Sequence, residues 1–90
     1  MKDIKMFYMN GCPYCRYAFK AIDELKKEDK YRDITMTQIN ENVEVALADS
    51  YDYYYVPTFY IDEVKVYECS PSHDYAAVKA HVKDVFDKAL

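Results

Sequence analysis

The fold of the chain is decided near its start, by the stretch IKMFYMNGCPYC at Ile4–Cys15. The first part of this stretch is mostly apolar and predicts a β-strand that ends at the turn Asn10-Gly11. From Pro13 onward the apolar side chains recur at helical spacing, which predicts a helix that runs to about Lys30. Two cysteines therefore lie where a strand turns into a helix.

The rest of the chain alternates between strand and helix patterns. Strands are indicated by a period of two and by β-branched residues, helices by apolar residues three or four positions apart with a capping residue in front. A strand is expected at Asp33–Ile39, followed by a helix that is capped by Asn40 or Asn42, carries Val43, Ala46 and Leu47 on one side and frays by Asp52. Two hairpin strands are expected at Val56–Ile61 and Val64–Tyr67. A last helix is expected to be capped by Ser72, and its apolar face carries Val78, Val82, Val85 and Ala89.

This order of elements, β-α-β-α-β-β-α, predicts one α/β domain over residues 1–90, because a chain of 90 residues rarely supports two separate cores. The βαβ unit requires a parallel pair of strands, and the hairpin adds antiparallel strands. We therefore expect a four-stranded mixed sheet with helices on both faces.

Composition excludes several classes of protein. The 12 Lys and Arg residues are outnumbered by 16 Asp and Glu, and the net charge of −4 leaves no basic surface for nucleic acid. No apolar run approaches the roughly 20 residues of a membrane span, and no signal sequence is recognisable. The one glycine, Gly11, excludes glycine-rich nucleotide loops. We expect a complete cytoplasmic protein, a monomer with no nucleic acid or membrane as partner.

The spacing of Cys12 and Cys15 indicates redox chemistry. Pro13 suits the first position of a helix, because its missing N–H would have no partner there. Cys12 then occupies the cap, beside free N–H groups and the positive end of the helix dipole, which favour a thiolate. Cys15 follows one turn later. In a pair so placed, the first thiol can attack a disulfide and the second can release the product.

Metal binding is the alternative interpretation of the same cysteines. Cys69 and His73 have a spacing that, together with Cys12 and Cys15, would complete a Cys₃His zinc site, and the paired thiols could also hold an iron–sulfur cluster. The proline and tyrosine between the first two cysteines, at a helix start, favour a redox pair. Cys69 by itself is either a third redox thiol or a small, half-buried side chain.

Three features agree with one known family: the tetrapeptide Cys12-Pro13-Tyr14-Cys15, the order of the elements, and Val56-Pro57 ahead of a strand. Over essentially the whole chain they resemble the glutaredoxins, small members of the thioredoxin superfamily. The resemblance implies a thioredoxin-like fold and a disulfide oxidoreductase, with Cys12 as nucleophile and Cys15 as resolving thiol. It also implies that Pro57 is a cis-proline and that Val56 offers its backbone to an extended substrate. Substrate is further expected to touch Pro13 and the exposed Tyr14.

The chain departs from the glutaredoxin pattern in two places. Met9 stands where the family usually has a lysine that pairs with a glutathione carboxylate. The stretch Tyr67–Asp74 lacks the usual Gly-Gly pair, and its Glu68 would repel a carboxylate. Ser72 or Asp74, at a helix N-terminus, would then hold the γ-glutamyl group. We expect disulfide-containing proteins as substrates, no bound cofactor, and either glutathione or a flavin-dependent thioredoxin-type reductase as the reductant.

Other side chains near the motif have simpler interpretations. The run Tyr53-Tyr54-Tyr55 could wall a substrate groove, but at least two of the three are expected simply to pack or to sit at the surface. His73 is expected in a loop and His81 on the surface of a helix, and neither is expected to act as a catalytic base.

Overall fold

All residues, 1–90, are described by a computed structural model, and their elements follow the predicted order. None of the helices is long and apolar enough to cross a membrane. The strands and helices are β1 (Ile4–Tyr8), α1 (Pro13–Leu25), β2 (Thr37–Asn40), α2 (Val45–Asp49), β3 (Thr58–Ile61), β4 (Val64–Glu68) and α3 (Tyr75–Ala89).

The four strands form one mixed sheet in the order β2-β1-β3-β4. Strand β1 pairs in parallel with β2 and antiparallel with β3, so Phe7 lies between Ile39 and Thr58. Strands β3 and β4 form the antiparallel hairpin. The mixed sheet predicted from the sequence is therefore confirmed.

The two faces of the sheet carry cores of very different size, because successive side chains of a strand point to opposite faces. On one face, α1 and α3 pack over a cluster of 17 buried residues that includes Met6, Phe59 and Phe86. On the other, α2 contributes only Ala48 to a cluster of four buried residues centred on Phe7. Helices on both faces are confirmed, and the larger core lies under the helix that begins at the cysteines.

Helix α1 ends at Leu25 instead of the predicted Lys30, and β2 begins at Thr37 instead of Asp33. The segment between them folds back onto the larger core. Tyr31 and Ile34 are both buried there, and the Tyr31 ring packs 5.6 Å from that of Phe86. The alternation around Ile34 thus reflects an irregular segment that packs against α3 and has no strand partner.

Helix α2 is shorter than predicted and buries a different face. It spans five residues from Val45, with Glu44 at the N-cap and no capping side chain. Asn40 accepts a hydrogen bond from the backbone of Asn42 at 2.9 Å, which closes a local turn in place of a helix cap. The predicted apolar side is exposed, with Val43 at 76% and Leu47 at 38% of full exposure. Tyrosines from the following loop cover Phe7 instead.

The last two predicted boundaries also move. Strand β3 begins at Thr58, so Val56 and Pro57 precede it. Helix α3 is capped by Asp74, whose carboxylate accepts a hydrogen bond from the Ala77 N–H at 2.9 Å. The prediction that Ser72 caps this helix is wrong. The Ser72 N–H donates a hydrogen bond to the Ser70 hydroxyl at 3.3 Å, so Ser72 belongs to a turn before the helix.

Candidate active site

The turn between β1 and α1 positions Cys12 at the N-terminus of a helix. Gly11 has a φ of +78°, a conformation that glycine adopts readily, and no atom lies within 4 Å of where a Cβ would stand. The glycine is therefore needed for its backbone angle and not for space. Cys12 then has extended backbone and caps α1, with Pro13 as the first helical residue. Its Sγ accepts a hydrogen bond from the Cys15 N–H at 3.4 Å.

The segment before β3 meets Cys12 from the other side. The Val56–Pro57 peptide bond is cis, as the resemblance implies. The Cys12 thiol lies 3.8 Å from the Val56 carbonyl oxygen, to which it can donate a hydrogen bond. The sulfur is thus held between the N–H groups of a helix start and a backbone carbonyl from a distant part of the chain.

Two of the three cysteines, Cys15 and Cys69, have raised pKa values. All three are free thiols. Burial, together with the neighbouring sulfurs of Cys12 and Cys69, raises the pKa of Cys15 to about 12. Burial also raises the pKa of Cys69, whose thiol points to the Ser70 carbonyl. Cys15 and Cys69 therefore remain protonated at neutral pH, and Cys12 is the cysteine that faces a groove.

A largely apolar groove of about 350 Å³ opens beside the Cys12 sulfur. A larger cavity, of about 530 Å³, lies around Tyr51, Tyr60 and Glu63 and contains no thiol. The smaller groove is therefore the candidate active site, because it contains a thiol and the larger cavity does not. The residues that line the groove are Met9, Gly11, Cys12, Pro13, Tyr14, Glu41, Tyr54, Tyr55, Val56 and Pro71.

Glu68 holds one wall of this groove in place. Its carboxylate accepts hydrogen bonds from the N–H groups of Tyr54 and Tyr55, at 2.7 and 2.8 Å, and pairs with Lys65 at 2.9 Å. Burial opposes the charge, but Lys65 and the two N–H groups outweigh it and lower the pKa of Glu68. The acidic side chain that was expected to repel a ligand is instead bound to the backbone beside the cis-proline.

The opposite wall is held by Tyr14. Its hydroxyl donates a hydrogen bond to the Pro71 carbonyl at 2.9 Å, which links the start of α1 to the loop after β4. The Tyr14 ring also packs edge-on against Tyr17, at 6.1 Å between ring centroids. Tyr14 is thus held at both its ring and its hydroxyl, and it is half-buried in the lining of the groove and not exposed as predicted.

The structure brings together some of the residues expected to bind substrate. Pro13, Tyr14 and Val56 line the groove with Cys12. Pro57 is buried behind it, and its carbonyl accepts a hydrogen bond from the Cys69 N–H at 3.0 Å. Ser72 and Asp74 lie outside the lining, and both are engaged locally: Ser72 contacts the Ser70 hydroxyl at 3.0 Å, and Asp74 caps α3.

The four-ligand zinc site of the alternative interpretation is not assembled. No group of three or more His, Cys, Asp or Glu side chains lies close enough to share a metal ion. The Nδ1 atom of His73 is engaged by the Tyr67 hydroxyl at 2.9 Å and by the Ser70 N–H at 3.3 Å. His81 stacks on Tyr67 at 4.4 Å between ring centroids. The two histidines therefore belong to an aromatic stack on β4 and α3.

Sequence reasoning missed several residues of the groove. No sequence motif marks Glu41 or Pro71 as a groove residue. Each follows a strand, and only the folded sheet brings it near Cys12. Of the tyrosine run, Tyr54 and Tyr55 line the groove, whereas Tyr53 stacks on Phe7 at 5.1 Å. Tyr53 therefore packs, and Tyr54 and Tyr55 lie at the surface in the lining of the groove.

With the geometry established, the chain can be compared with known proteins. The sequence model of the glutaredoxin family matches residues 4–66, which contain both Cys12 and Cys15 and the cis-proline. The chain belongs to the glutaredoxin family. Membership of this family supports a function of the thiol–disulfide oxidoreductase type for the chain. No curated protein sequence matches this glutaredoxin-family chain.

Solved structures agree with the fold. A malarial protein superposes with a TM-score of 0.63 at 16% identity, over 93% of this chain and 96% of its own. Thioredoxin 1 from Thermosipho africanus gives 0.61 at 17% identity, over 96% of each chain. A mutant thioredoxin from Halobacterium salinarum gives 0.61 at 23% identity, over 98% of this chain and 74% of its own. The predicted thioredoxin-like α/β fold is therefore confirmed.

Proposed function

We propose that this glutaredoxin-family protein reduces disulfides through a dithiol cycle in which Cys12 attacks and Cys15 resolves. The observation that carries the proposal is the asymmetry of the two thiols. The Cys12 sulfur lies at a helix N-terminus in the wall of a groove, whereas Cys15 is 1% exposed and has a raised pKa. Cys12 is itself only 6% exposed, but it lines the groove and Cys15 does not, so a disulfide that enters the groove meets Cys12 first.

In the first step, the Cys12 thiol loses its proton to water and its thiolate accepts the Cys15 N–H, which stabilises the negative charge. The thiolate then attacks one sulfur of the substrate disulfide. A bond forms between Cys12 Sγ and that sulfur, the substrate S–S bond breaks, and the other substrate sulfur leaves as a thiolate. The substrate is now joined to Cys12 as a mixed disulfide.

In the second step, Cys15 releases the substrate. Its Sγ attacks Cys12 Sγ, the Cys12–Cys15 disulfide forms, and the bond from Cys12 to the substrate breaks. The Cys15 proton passes to the substrate sulfur as that sulfur leaves. Because a thiol with a raised pKa is a strong nucleophile once deprotonated, the burial of Cys15 suits a group used only after the mixed disulfide has formed.

Two electrons pass from the protein to the substrate in each cycle, so a reductant must restore the thiols. Glutathione or a flavin-dependent thioredoxin-type reductase would supply them, and proteins with accessible or mixed disulfides are the substrates. We place the protein in the cytoplasm, because that compartment keeps thiols reduced. We propose that it acts there as a monomer.

The test compares Cys12→Ser, Cys15→Ser and Cys69→Ser, the last as a matched control that removes an equally buried thiol. Each reduced protein is mixed with a peptide disulfide, quenched in acid and weighed by mass spectrometry. We expect no reaction for Cys12→Ser, an accumulated mixed disulfide for Cys15→Ser, and for Cys69→Ser the same conversion to the Cys12–Cys15 disulfide as in the unmodified protein. Reaction by Cys12→Ser, or stoichiometric zinc or iron in anaerobically purified protein, would overturn the proposal.

A further inference from the structure

The groove beside Cys12 has an unusual balance of charge. Among its lining residues Glu41 is the only carboxylic acid, and none is Lys or Arg. Arg16, the cation closest to the cysteines in sequence, is exposed and outside the lining. An apolar groove next to the reactive sulfur thus contains one carboxylate and no compensating cation.

Glu41 is held at this place by the backbone and by a neighbouring hydroxyl. Its N–H bonds to the Tyr8 carbonyl at 2.9 Å, which ties it to the end of β1 just before the Cys12 turn. Its Oε1 accepts a hydrogen bond from the Tyr53 hydroxyl at 2.8 Å. Burial and this hydrogen bond raise the pKa of Tyr53, so Tyr53 remains a donor. The carboxylate forms no ion pair, and its second oxygen has no hydrogen-bond donor in the protein.

Two aromatic side chains, Tyr54 and Tyr55, line the same groove as this carboxylate. Tyr54 exposes 90% of its surface and Tyr55 53%, although Glu68 fixes the backbone of both. A carboxylate next to open aromatic rings suits a cationic side chain, because the ring face and the negative charge both attract it. The backbone of these two residues is fixed before binding and loses little entropy when a ligand arrives.

We propose that Glu41 is a specificity-determining residue that selects polypeptide disulfides with a basic side chain next to the reacting half-cystine. The inference rests on the proposed function and names its substrate class. The same carboxylate disfavours disulfides that carry acidic groups at this position. Glutathione disulfide, with more carboxylates than ammonium groups, is among the disfavoured ones.

The test measures the first exchange step alone, so that the identity of the reductant does not enter. Reduced protein is mixed with peptide disulfides that differ only in the residue beside the half-cystine, Arg, Gln or Glu, and with glutathione disulfide. Second-order rate constants come from acid quenching and mass spectrometry. We expect the Arg peptide to react about tenfold faster than the Glu peptide, which corresponds to about 1.4 kcal/mol.

Glu41→Gln keeps an acceptor for the Tyr53 hydroxyl and should bring the Arg-to-Glu ratio close to one, while Glu41→Lys should reverse it. Glu44→Gln and Glu44→Lys are matched controls. They make the same changes of net charge at an exposed residue outside the groove and should leave the ratio unchanged. Thermal unfolding of each variant confirms that it is folded.

An unchanged ratio in folded Glu41→Lys, equal shifts in the Glu44 variants, or a preference of the unmodified protein for the Glu peptide would overturn the inference while disulfide exchange continued. Absence of exchange with every peptide would instead overturn the proposed function. The two failures are therefore distinguishable.

Discussion

The two halves of the groove lie over hydrophobic cores of different size. Cys12 and Tyr14 stand at the start of α1, which packs with α3 over the cluster of 17 buried residues. Glu41 and Tyr54 to Val56 lie on the side of α2, over a cluster of four. The reacting half is thus held by hydrophobic packing, and the half that selects substrate is held by individual hydrogen bonds. Changes in the first should cost stability, and changes in the second should alter rates and selectivity.

The largest expected effect comes from the core under the reacting half. Phe86→Ala should lower the free energy of unfolding by about 3–5 kcal/mol, because it removes a fully buried ring and leaves a cavity. Ala48→Gly, on the other face, should cost roughly 1 kcal/mol through loss of helix propensity. Urea denaturation measures both. Equal losses would contradict the difference between the two faces.

An intermediate effect should appear in the pH dependence of stability. The pKa of Cys15 is raised from 9.0 to about 12 by burial, so above pH 9 the folded state keeps a proton that the unfolded state loses. The corresponding stability is fully present below pH 9 and is lost as pH rises toward 12. Cys15→Ala should therefore lose less stability than the unmodified protein between pH 8 and 10, as measured by urea denaturation. Parallel losses in the two proteins would show that Cys15 has no raised pKa.

The smallest effect on stability is expected in the selecting half. Glu68→Gln weakens the hydrogen bonds that hold the N–H groups of Tyr54 and Tyr55, and should slow disulfide exchange roughly two- to tenfold. Lys65→Gln is its control, since it removes the ion pair but leaves those hydrogen bonds. Both variants should unfold close to the unmodified midpoint. A rate loss that was the same in both would assign the effect to charge and not to the position of the loop.

Local patterns predicted the parts of the molecule that depend on near neighbours in sequence. Pro13 beside Cys12 indicated a helix start, and the helical spacing of Val78, Val82 and Val85 indicated the buried face of α3, which the structure shows. Predictions were wrong where tertiary packing outweighed a local preference. Tyr31 packs against α3 and Ile34 is buried in the same core, so α1 ends early and β2 is shorter than predicted.

The sequence by itself determined that two thiols would stand one turn apart at a helix N-terminus, because the turn, the cap and the proline are consecutive residues. Only the tertiary structure decided what surrounds them. Glu41, Tyr54 and Pro71 come from three separate loops, and the strand order β2-β1-β3-β4 brings those loops to one edge of the sheet. The sequence pattern of one segment does not predict which loops lie side by side in the fold, because their side chains are close in space and far apart along the chain.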